Sequence, residues 1–199
     1  MTTNSVKTSG ISMIVIDSRV TGYQTLIDHL ATPGEIFIID VGSDGVAQIA
    51  ARLQGRSDID ALHIISHGSQ GAMYLGSTVL DSGNLSMYAP QLSSIGCALA
   101  QNGDVLLYGC NVAQGEEGLG FVKALAEITG SDLAASTDAS GPLALGGNNI
   151  LETTIGLAKD NSVDLMTLPI LLGANGAPSF APSSAGTSLA TSNKICIQP

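Results

Sequence analysis

The feature that most constrains the fold is a pair of short, largely apolar runs, each ending in a reactive side chain next to a glycine. The first run is ALHIISHG, residues 61–68, and the second is DVLLYGCN, residues 104–111. Short continuous apolar runs are typical of strands that are buried on both faces of a parallel sheet. If these two strands are neighbours, His67 and Cys110 lie side by side at the edge where open α/β sheets bind ligands.

The rest of the chain alternates between strand patterns and helix patterns. Apolar and β-branched runs predict strands at 11–17, 35–40, 59–66, 104–108, 133–136 and 149–155. Apolar residues at helical spacing predict helices at 23–30, 46–53, 84–100 (interrupted by Pro90) and 121–128, with a small hairpin at 72–80. This alternation indicates parallel strands joined by right-handed crossovers. We expect an α/β fold, a three-layer sandwich with a mainly parallel sheet of about six strands.

Composition and charge exclude two classes of partner. The 199-residue chain carries a net charge of −10, and only 12% of its residues are charged. An acidic chain poor in Lys and Arg lacks the positive surface that binds nucleic acid, so we expect no nucleic-acid partner. No apolar run approaches the roughly 18 residues of a membrane span, so none is predicted. The first apolar run, at 11–16, leads into Asp17 and reads as a strand rather than a signal peptide.

The chain divides into one predicted domain and two flanking pieces. We expect a disordered N-terminus at 1–10, a folded domain at 11–157 and a flexible, linker-like tail at 158–199. The end of the chain, from 173 onward, is rich in Gly, Ala, Pro and Ser, as linkers are. A chain that stops in a spacer suggests a piece of a larger protein, one that could reach the cell surface or exterior without a signal peptide. The oligomeric state is not predicted.

His67 and Cys110 together predict nucleophilic acyl transfer. A thiol with an imidazole in reach is the minimal equipment for it. Gly68 can present its N–H to a substrate carbonyl without a Cβ in the way, and with the N–H of Cys110 it could build an oxyanion hole. The alternative is a buried structural cysteine near a hydrogen-bonded histidine. The other cysteines, Cys97 and Cys196, give an odd count without CxxC spacing, which argues against a disulfide framework or a zinc site.

Four further residues are candidates for substrate binding because they follow predicted strands. Asp17 and Arg19 follow the first strand and could recognise charged side chains, with a local ion pair or helix cap as the alternative. Ser136 and Asp138 follow the fifth strand and could line the pocket. No metal site is predicted: His63 and His67 lie about 13 Å apart along a strand, too far to share an ion. The acidic loop at 40–44 permits calcium without requiring it.

The motifs resemble those of a known family. The segments ISHG (65–68) and LYGCNVA (107–113), together with IDSRV (16–20) and DGVAQI (44–49), resemble the DUF4347 domain, which is related to the caspase-like (clan CD) cysteine peptidases. That domain occurs near the N-terminus of very large bacterial adhesin-like or calcium-binding repeat proteins.

The resemblance covers roughly residues 11–157. It implies a caspase-like fold and a peptidase that acts on a polypeptide, with cleavage of the larger protein in cis as one form of this activity. His67 would be the general base, Cys110 the nucleophile, and the N–H groups of Gly68 and Cys110 the oxyanion hole. The competing expectation is a non-catalytic module for secretion, anchoring or assembly. The caspase pentapeptide QACxG is absent, so the substrate pockets of caspases do not transfer.

Overall fold

The computed structural model describes residues 11–30, 34–159 and 163–173. Its strands, in chain order, are β1 (Ile11–Asp17), β2 (Glu35–Ile39), β3 (Ile59–Ile65), β4 (Gly68–Ser69), β5 (Ala72–Leu75), β6 (Thr78–Asp81), β7 (Leu99–Tyr108), β8 (Asp132–Ala135) and β9 (Thr153–Ile155). Its helices are α1 (Tyr23–His29), α2 (Gly45–Leu53), α3 (Ala89–Cys97), α4 (Gly115–Thr129) and a 3-10 turn at Leu143–Leu145. The predicted N-terminus at 1–10, most of the predicted tail and Cys196 lie outside the described residues.

The main sheet has six strands in the order β2-β1-β3-β7-β8-β9. The first five strands are parallel, and β9 pairs with β8 in the antiparallel sense. The prediction of an α/β fold with a mainly parallel six-stranded sheet is confirmed. A second, three-stranded antiparallel sheet (β4-β5-β6) follows β3 and corresponds to the predicted hairpin.

The two faces of the main sheet are covered differently. On the first face, apolar residues of β1, β3 and β7 pack with α2, α3 and α4, including Val46, Ile49, Leu92, Phe121 and Leu125. On the second face, Ile14, Ile16, Ile65, Leu106 and Tyr108 pack with Leu26 of α1 and with residues 163–173, here called the C-terminal segment. This segment contributes the buried side chains Val163, Leu165, Leu168 and Leu172.

The packing of the C-terminal segment extends the folded region past the boundary predicted from the sequence. The predicted tail began at 158, yet Leu165 and Leu172 are fully buried. Several elements also differ in their bounds, and for two of them the reason is clear. Helix α3 begins only at Ala89, with Pro90 in its first turn, where a missing N–H costs nothing. Strand β7 begins at Leu99, because Leu99 pairs with Ile59 of β3. Within the described residues, no helix has the length and apolar character needed to cross a membrane.

Candidate active site

The sheet register brings His67 and Cys110 to equivalent positions on neighbouring strands. β3 and β7 pair in parallel, and the last pair in their register is Ile65 with Tyr108. His67 lies two residues beyond Ile65, and Cys110 lies two residues beyond Tyr108. Neighbouring strands are about 4.8 Å apart, so the two residues occupy adjacent places at the carboxyl edge of the sheet. This is the placement that the two apolar runs predicted.

Beyond the strand ends the two backbones touch, which explains the glycines. A Cβ built on Gly68 would lie 2.6 Å from Cγ2 of Val112 and 3.0 Å from the carbonyl carbon of Gly109. A Cβ on Gly109 would lie 3.2 Å from Cα of Gly68. Contacts this short leave no room for a side chain at position 68. The glycines therefore allow the segment after His67 to lie directly against the segment that carries Cys110.

The N–H groups of Gly68 and Cys110 converge on one carbonyl oxygen, which belongs to Leu172 of the C-terminal segment. The N–H of Gly68 donates to this oxygen at 2.9 Å, and the N–H of Cys110 donates to it at 3.0 Å. These are the two donors that the sequence suggested for an oxyanion hole, and both distances suit that role. A carbonyl of the C-terminal segment therefore accepts from both of these N–H groups.

Ser140 holds the same peptide from the opposite side. The N–H of Leu172 donates to the carbonyl oxygen of Ser140 at 2.9 Å. The N–H of Ser140 lies 3.3 Å from Sγ of Cys110, and its carbonyl oxygen lies 3.7 Å from the same sulfur. Residue Gly173 continues over the thiol, where a Cβ would lie 3.8 Å from Sγ. Leu172 and Gly173 are thus held by hydrogen bonds and close contacts between the strand ends and the Ser140 loop.

The Cys110 thiol is free, buried and protonated in this arrangement. Its side chain is 3% exposed, and burial raises the pKa of the thiol, while the N–H bond from Ser140 opposes that shift. Within the described residues, the sulfur forms hydrogen bonds with Ser140 and none with the His67 ring. The Nδ1 of His67 and the Oγ of Ser140 are buried with no hydrogen-bond partner in the same described ranges. Buried polar atoms without a hydrogen-bond partner are uncommon in folded proteins.

The turn after Cys110 connects the end of β7 to the loop that follows β8 through backbone hydrogen bonds. Asn111 has a φ of 62°, the left-handed conformation that asparagine tolerates better than most residues. Its N–H donates to the carbonyl oxygen of Asp138, and the N–H of Ala113 donates to that of Ser136. Ser136 and Asp138 therefore contact the turn that follows Cys110, and their own polar groups are engaged within the protein. Oγ of Ser136 donates to Asp138, whose carboxylate accepts from Nδ2 of Asn148.

Asp17 and Arg19 form a local ion pair, the alternative that the sequence left open. Nε of Arg19 lies 3.3 Å from Oδ1 of Asp17, which also accepts from the Arg19 N–H at 2.8 Å. The other carboxylate oxygen accepts from the N–H of Gly76 at 2.6 Å. Asp17 is fully buried and links β1 to the small sheet. Because these bonds engage the carboxylate, we do not assign either residue to substrate binding.

The remaining candidates have structural partners. Nδ1 of His63 lies 3.3 Å from the hydroxyl of Tyr108, which also accepts from the N–H of Val163 at 2.9 Å. Asp44 caps α2 through the N–H of Ala47 and accepts from the hydroxyl of Tyr88. Within residues 11–30, 34–159 and 163–173, no group of three or more His, Cys, Asp or Glu side chains could hold a metal ion. Cys97 is in a disulfide bond, which the odd cysteine count did not predict.

Sequence analysis missed Ser140, Leu172 and Gly173. Ser140 acts through its backbone, which leaves no trace in side-chain chemistry. Leu172 and Gly173 fall in a stretch assigned to the tail because its apolar residues follow neither the helical nor the strand period. A signal was nevertheless present: Val163, Leu165, Leu168 and residues 170–172 are far more apolar than a solvated linker requires.

The comparison with protein families agrees with the motif resemblance. Residues 13–167 match the model of a family described as a domain of unknown function, DUF4347. The chain belongs to this family. The match reaches into the C-terminal segment, past the predicted domain boundary at 157.

Comparison of the DUF4347 chain with solved structures finds several similar chains, one of which is described here. A crystal structure of caspase-1 from Spodoptera frugiperda is similar over 51% of this chain and 47% of its own, with 18% sequence identity and a TM-score of 0.30. The DUF4347 chain thus spans about half the length of that structure. No curated protein matches the sequence.

Proposed function

We propose that this DUF4347 domain is a cysteine peptidase in which Cys110 is the nucleophile and His67 is the general base. The N–H groups of Gly68 and Cys110 form the oxyanion hole. The observation that carries the proposal is the single carbonyl oxygen, that of Leu172, which accepts from both N–H groups at 2.9 and 3.0 Å. A structural cysteine gives no reason for two backbone donors to converge beside the sulfur.

The chemistry follows from these positions. His67 takes the proton of the thiol as Sγ of Cys110 attacks the carbonyl carbon of a bound peptide. The negative charge that develops on the carbonyl oxygen is stabilised by the two N–H groups. The C–N bond then breaks, and His67 returns the proton to the leaving amine. Water, activated by His67, hydrolyses the thioester to give a carboxylate and the free thiol.

Burial raises the pKa of the Cys110 thiol, so in this mechanism the proton would have to leave during the attack. A buried thiol beside the Asp138 carboxylate does not ionise by itself near neutral pH. It would therefore need a base nearby, and the pairing of β3 with β7, each ending two residues before His67 and Cys110, supports His67 in that role. His67 would be required for the nucleophilic Cys110 thiolate to form, so its contribution to the rate would be large.

Ser140 is the positioning residue of this site. Its carbonyl oxygen binds the N–H of the residue whose carbonyl enters the oxyanion hole, and its own N–H lies against the sulfur. The backbone of a peptide would thus be bound at both its N–H and its carbonyl oxygen, which favours a polypeptide as substrate. The grip on the chain's own backbone further supports self-processing in cis.

The test is covalent labelling of Cys110 in the full chain by peptidyl acyloxymethyl ketones, whose carbonyl needs an oxyanion hole to react. Labelling rates would be followed by mass spectrometry across the titration range of cysteine and histidine, with the adduct located by peptide mapping. We expect a Cys110 adduct whose rate falls roughly 100-fold or more in His67→Ala. His29→Ala, which removes an exposed histidine of α1, should leave the rate unchanged.

Equal labelling in His67→Ala and His29→Ala would contradict the proposal. So would the absence of any Cys110 adduct under native conditions, when the denatured chain reacts readily. Either result would favour the competing function, a non-catalytic module of a larger adhesin-like protein in which the C-terminal segment permanently seals the sheet edge.

A further inference from the structure

We infer that the bond cut by this site is the chain's own Leu172–Gly173 peptide bond, and that the site selects an apolar residue on the amino side of the cut. The inference rests on the proposed function and names its substrate. The juxtaposition that carries it is the carbonyl of Leu172 between the two oxyanion donors, with Gly173 lying over the thiol.

The backbone of the C-terminal segment is bound as a substrate would be. Three hydrogen bonds fix the peptide unit of Leu172: one from its N–H to Ser140, and two to its carbonyl oxygen from Gly68 and Cys110. Gly173 then forms an isolated parallel bridge with Gly68. The carbonyl of Leu172 is therefore fixed by hydrogen bonds, and the next residue, Gly173, lies near the sulfur, where a built Cβ would be 3.8 Å from Sγ.

The side chain of Leu172 supplies the specificity. It is completely buried in the second-face cluster, alongside Ile16, Val20, Tyr108 and Cys110. The nearest candidate for a charge-selective residue, Asp17, is already bound to Arg19 and to the N–H of Gly76. A pocket with apolar walls accepts an aliphatic side chain and penalises a charged one, because a buried charge needs a partner.

The residues before Leu172 keep the segment in register. Val163 is pinned by the Tyr108 hydroxyl at 2.9 Å, and Leu165 and Leu168 are buried on the same face. On the far wall, Gly141 approaches the segment so closely that a Cβ there would lie 3.0 Å from the carbonyl oxygen of Ile170. The packing of the segment thus holds Leu172 next to the thiol, which removes most of the entropic cost of bringing the peptide and the thiol together.

The cleavage balances without any added reagent except water. Sγ of Cys110 bonds to the carbonyl carbon of Leu172, and the thiol proton passes to His67. The bond to the nitrogen of Gly173 breaks, and that nitrogen takes the proton from His67. Water then replaces sulfur on the carbonyl carbon. The products are a chain ending in the carboxylate of Leu172 and a fragment beginning with the free amine of Gly173.

The test is the intact mass of the purified full chain over time, with N-terminal sequencing of any fragment. We expect the unaltered chain to yield a fragment that begins at Gly173, and Cys110→Ala to remain whole. Leu172→Met should still cut, whereas Leu172→Asp should slow cleavage by about 100-fold or more because it buries a charge. Leu157→Asp, the same change at a leucine that is 87% exposed, should cut normally. Circular dichroism would verify that each variant is folded.

The outcomes separate this inference from the proposed function. A Cys110-dependent cut at another bond, or an intact chain whose Cys110 is still labelled in a His67-dependent way, would overturn the inference and leave the peptidase standing. An intact chain with no His67-dependent labelling would overturn both. Equal cleavage of Leu172→Asp and Leu172→Met would refute the apolar specificity.

Discussion

The two faces of the main sheet are built from similar apolar rows, but they are closed by different kinds of structure. Three helices, α2, α3 and α4, cover the first face, and their backbone hydrogen bonds are satisfied within each helix. The second face is covered by the short helix α1 and by the C-terminal segment, an irregular stretch whose backbone bonds go to Tyr108, Ser140, Gly68 and Cys110.

Because of this difference, we expect the first face to govern the stability of the domain and the second face to govern access to the thiol. A helical cover is held together locally and leaves the sheet only when the domain unfolds. The C-terminal segment is held by four buried aliphatic side chains and a few backbone bonds, so it can leave the sheet while the first face stays packed. The thiol lies on the second face. There the C-terminal segment both covers the sheet and supplies the peptide that lies next to the thiol. Three predictions test whether the two faces behave in this way.

The largest effect is expected from truncating one side chain on each face. Phe121→Ala in α4 and Leu165→Ala in the C-terminal segment each remove a fully buried side chain, and they should lower the free energy of unfolding by about 3–5 and 2–4 kcal/mol. Urea denaturation measures these losses. In Leu165→Ala, labelling of Cys110 should accelerate well beyond what global unfolding explains, because the segment detaches locally.

Phe121→Ala provides the matched control for that local opening. Its labelling should rise only in proportion to its unfolded population, since the first face does not cover the thiol. If the two variants show the same ratio of labelling to unfolding, the faces are equivalent and the comparison fails.

A somewhat smaller effect is expected from pH, through His63 on the second face. Burial lowers the pKa of His63 to about 4 from an ordinary value of 6.5. The unfolded chain therefore binds a proton at His63 more readily than the folded chain does. The stability linked to His63 is fully present above pH 6.5 and is lost as the pH falls toward 4. The shift corresponds to roughly 3 kcal/mol.

Denaturation at a series of pH values would measure this loss, with His63→Gln as the comparison. Glutamine can keep a hydrogen bond to Tyr108 but does not titrate, so the slope between pH 6.5 and 4 should become shallower by about 3 kcal/mol in total. A slope identical to that of the unaltered chain would show that His63 does not carry the effect.

The smallest effects come from two glycines that differ in their surroundings. Gly68→Ala brings a Cβ to 2.6 Å from Val112, and we expect a loss of about 1–3 kcal/mol because the strand ends must separate. Gly120→Ala, on the exposed side of α4 with nothing within 4 Å, should instead gain about 0.5–1 kcal/mol. Thermal melts of both variants would test this, and a loss at Gly120 would contradict the open space seen there.

The sequence predicted the first face well and the second face poorly, for physical reasons. Phe121, Val122, Leu125 and Ile128 recur at helical spacing, so α4 could be placed, although it begins six residues earlier than its apolar stripe. The strand ends at His67 and Cys110 could be placed because buried parallel strands leave continuous apolar runs. The cover of the second face has no such period, because an extended, irregular segment can bury any residue that happens to face the sheet.

The candidate site divides along the same line. Its side chains, His67 and Cys110, carry recognisable chemistry. The role of Gly68 could be predicted because a residue without a Cβ lets its backbone approach another group closely. Its backbone groups, the carbonyl of Ser140 and the peptide of Leu172, are chemically identical in every residue. They become special only when the loop after β8 and the C-terminal segment meet, a contact between residues more than thirty positions apart.

The burial of the C-terminal segment also changes how any outside molecule would be bound. If the proposed function holds, a peptide or inhibitor would reach Cys110 only in the fraction of molecules whose segment has detached, and its apparent affinity would be reduced by that fraction. The hydrophobic contacts of Leu165, Leu168 and Leu172 with the sheet therefore determine how tightly an outside molecule must bind in order to displace the segment. Weak ligands would leave the domain untouched, and only a binder strong enough to replace part of the protein's own folding energy would occupy the site.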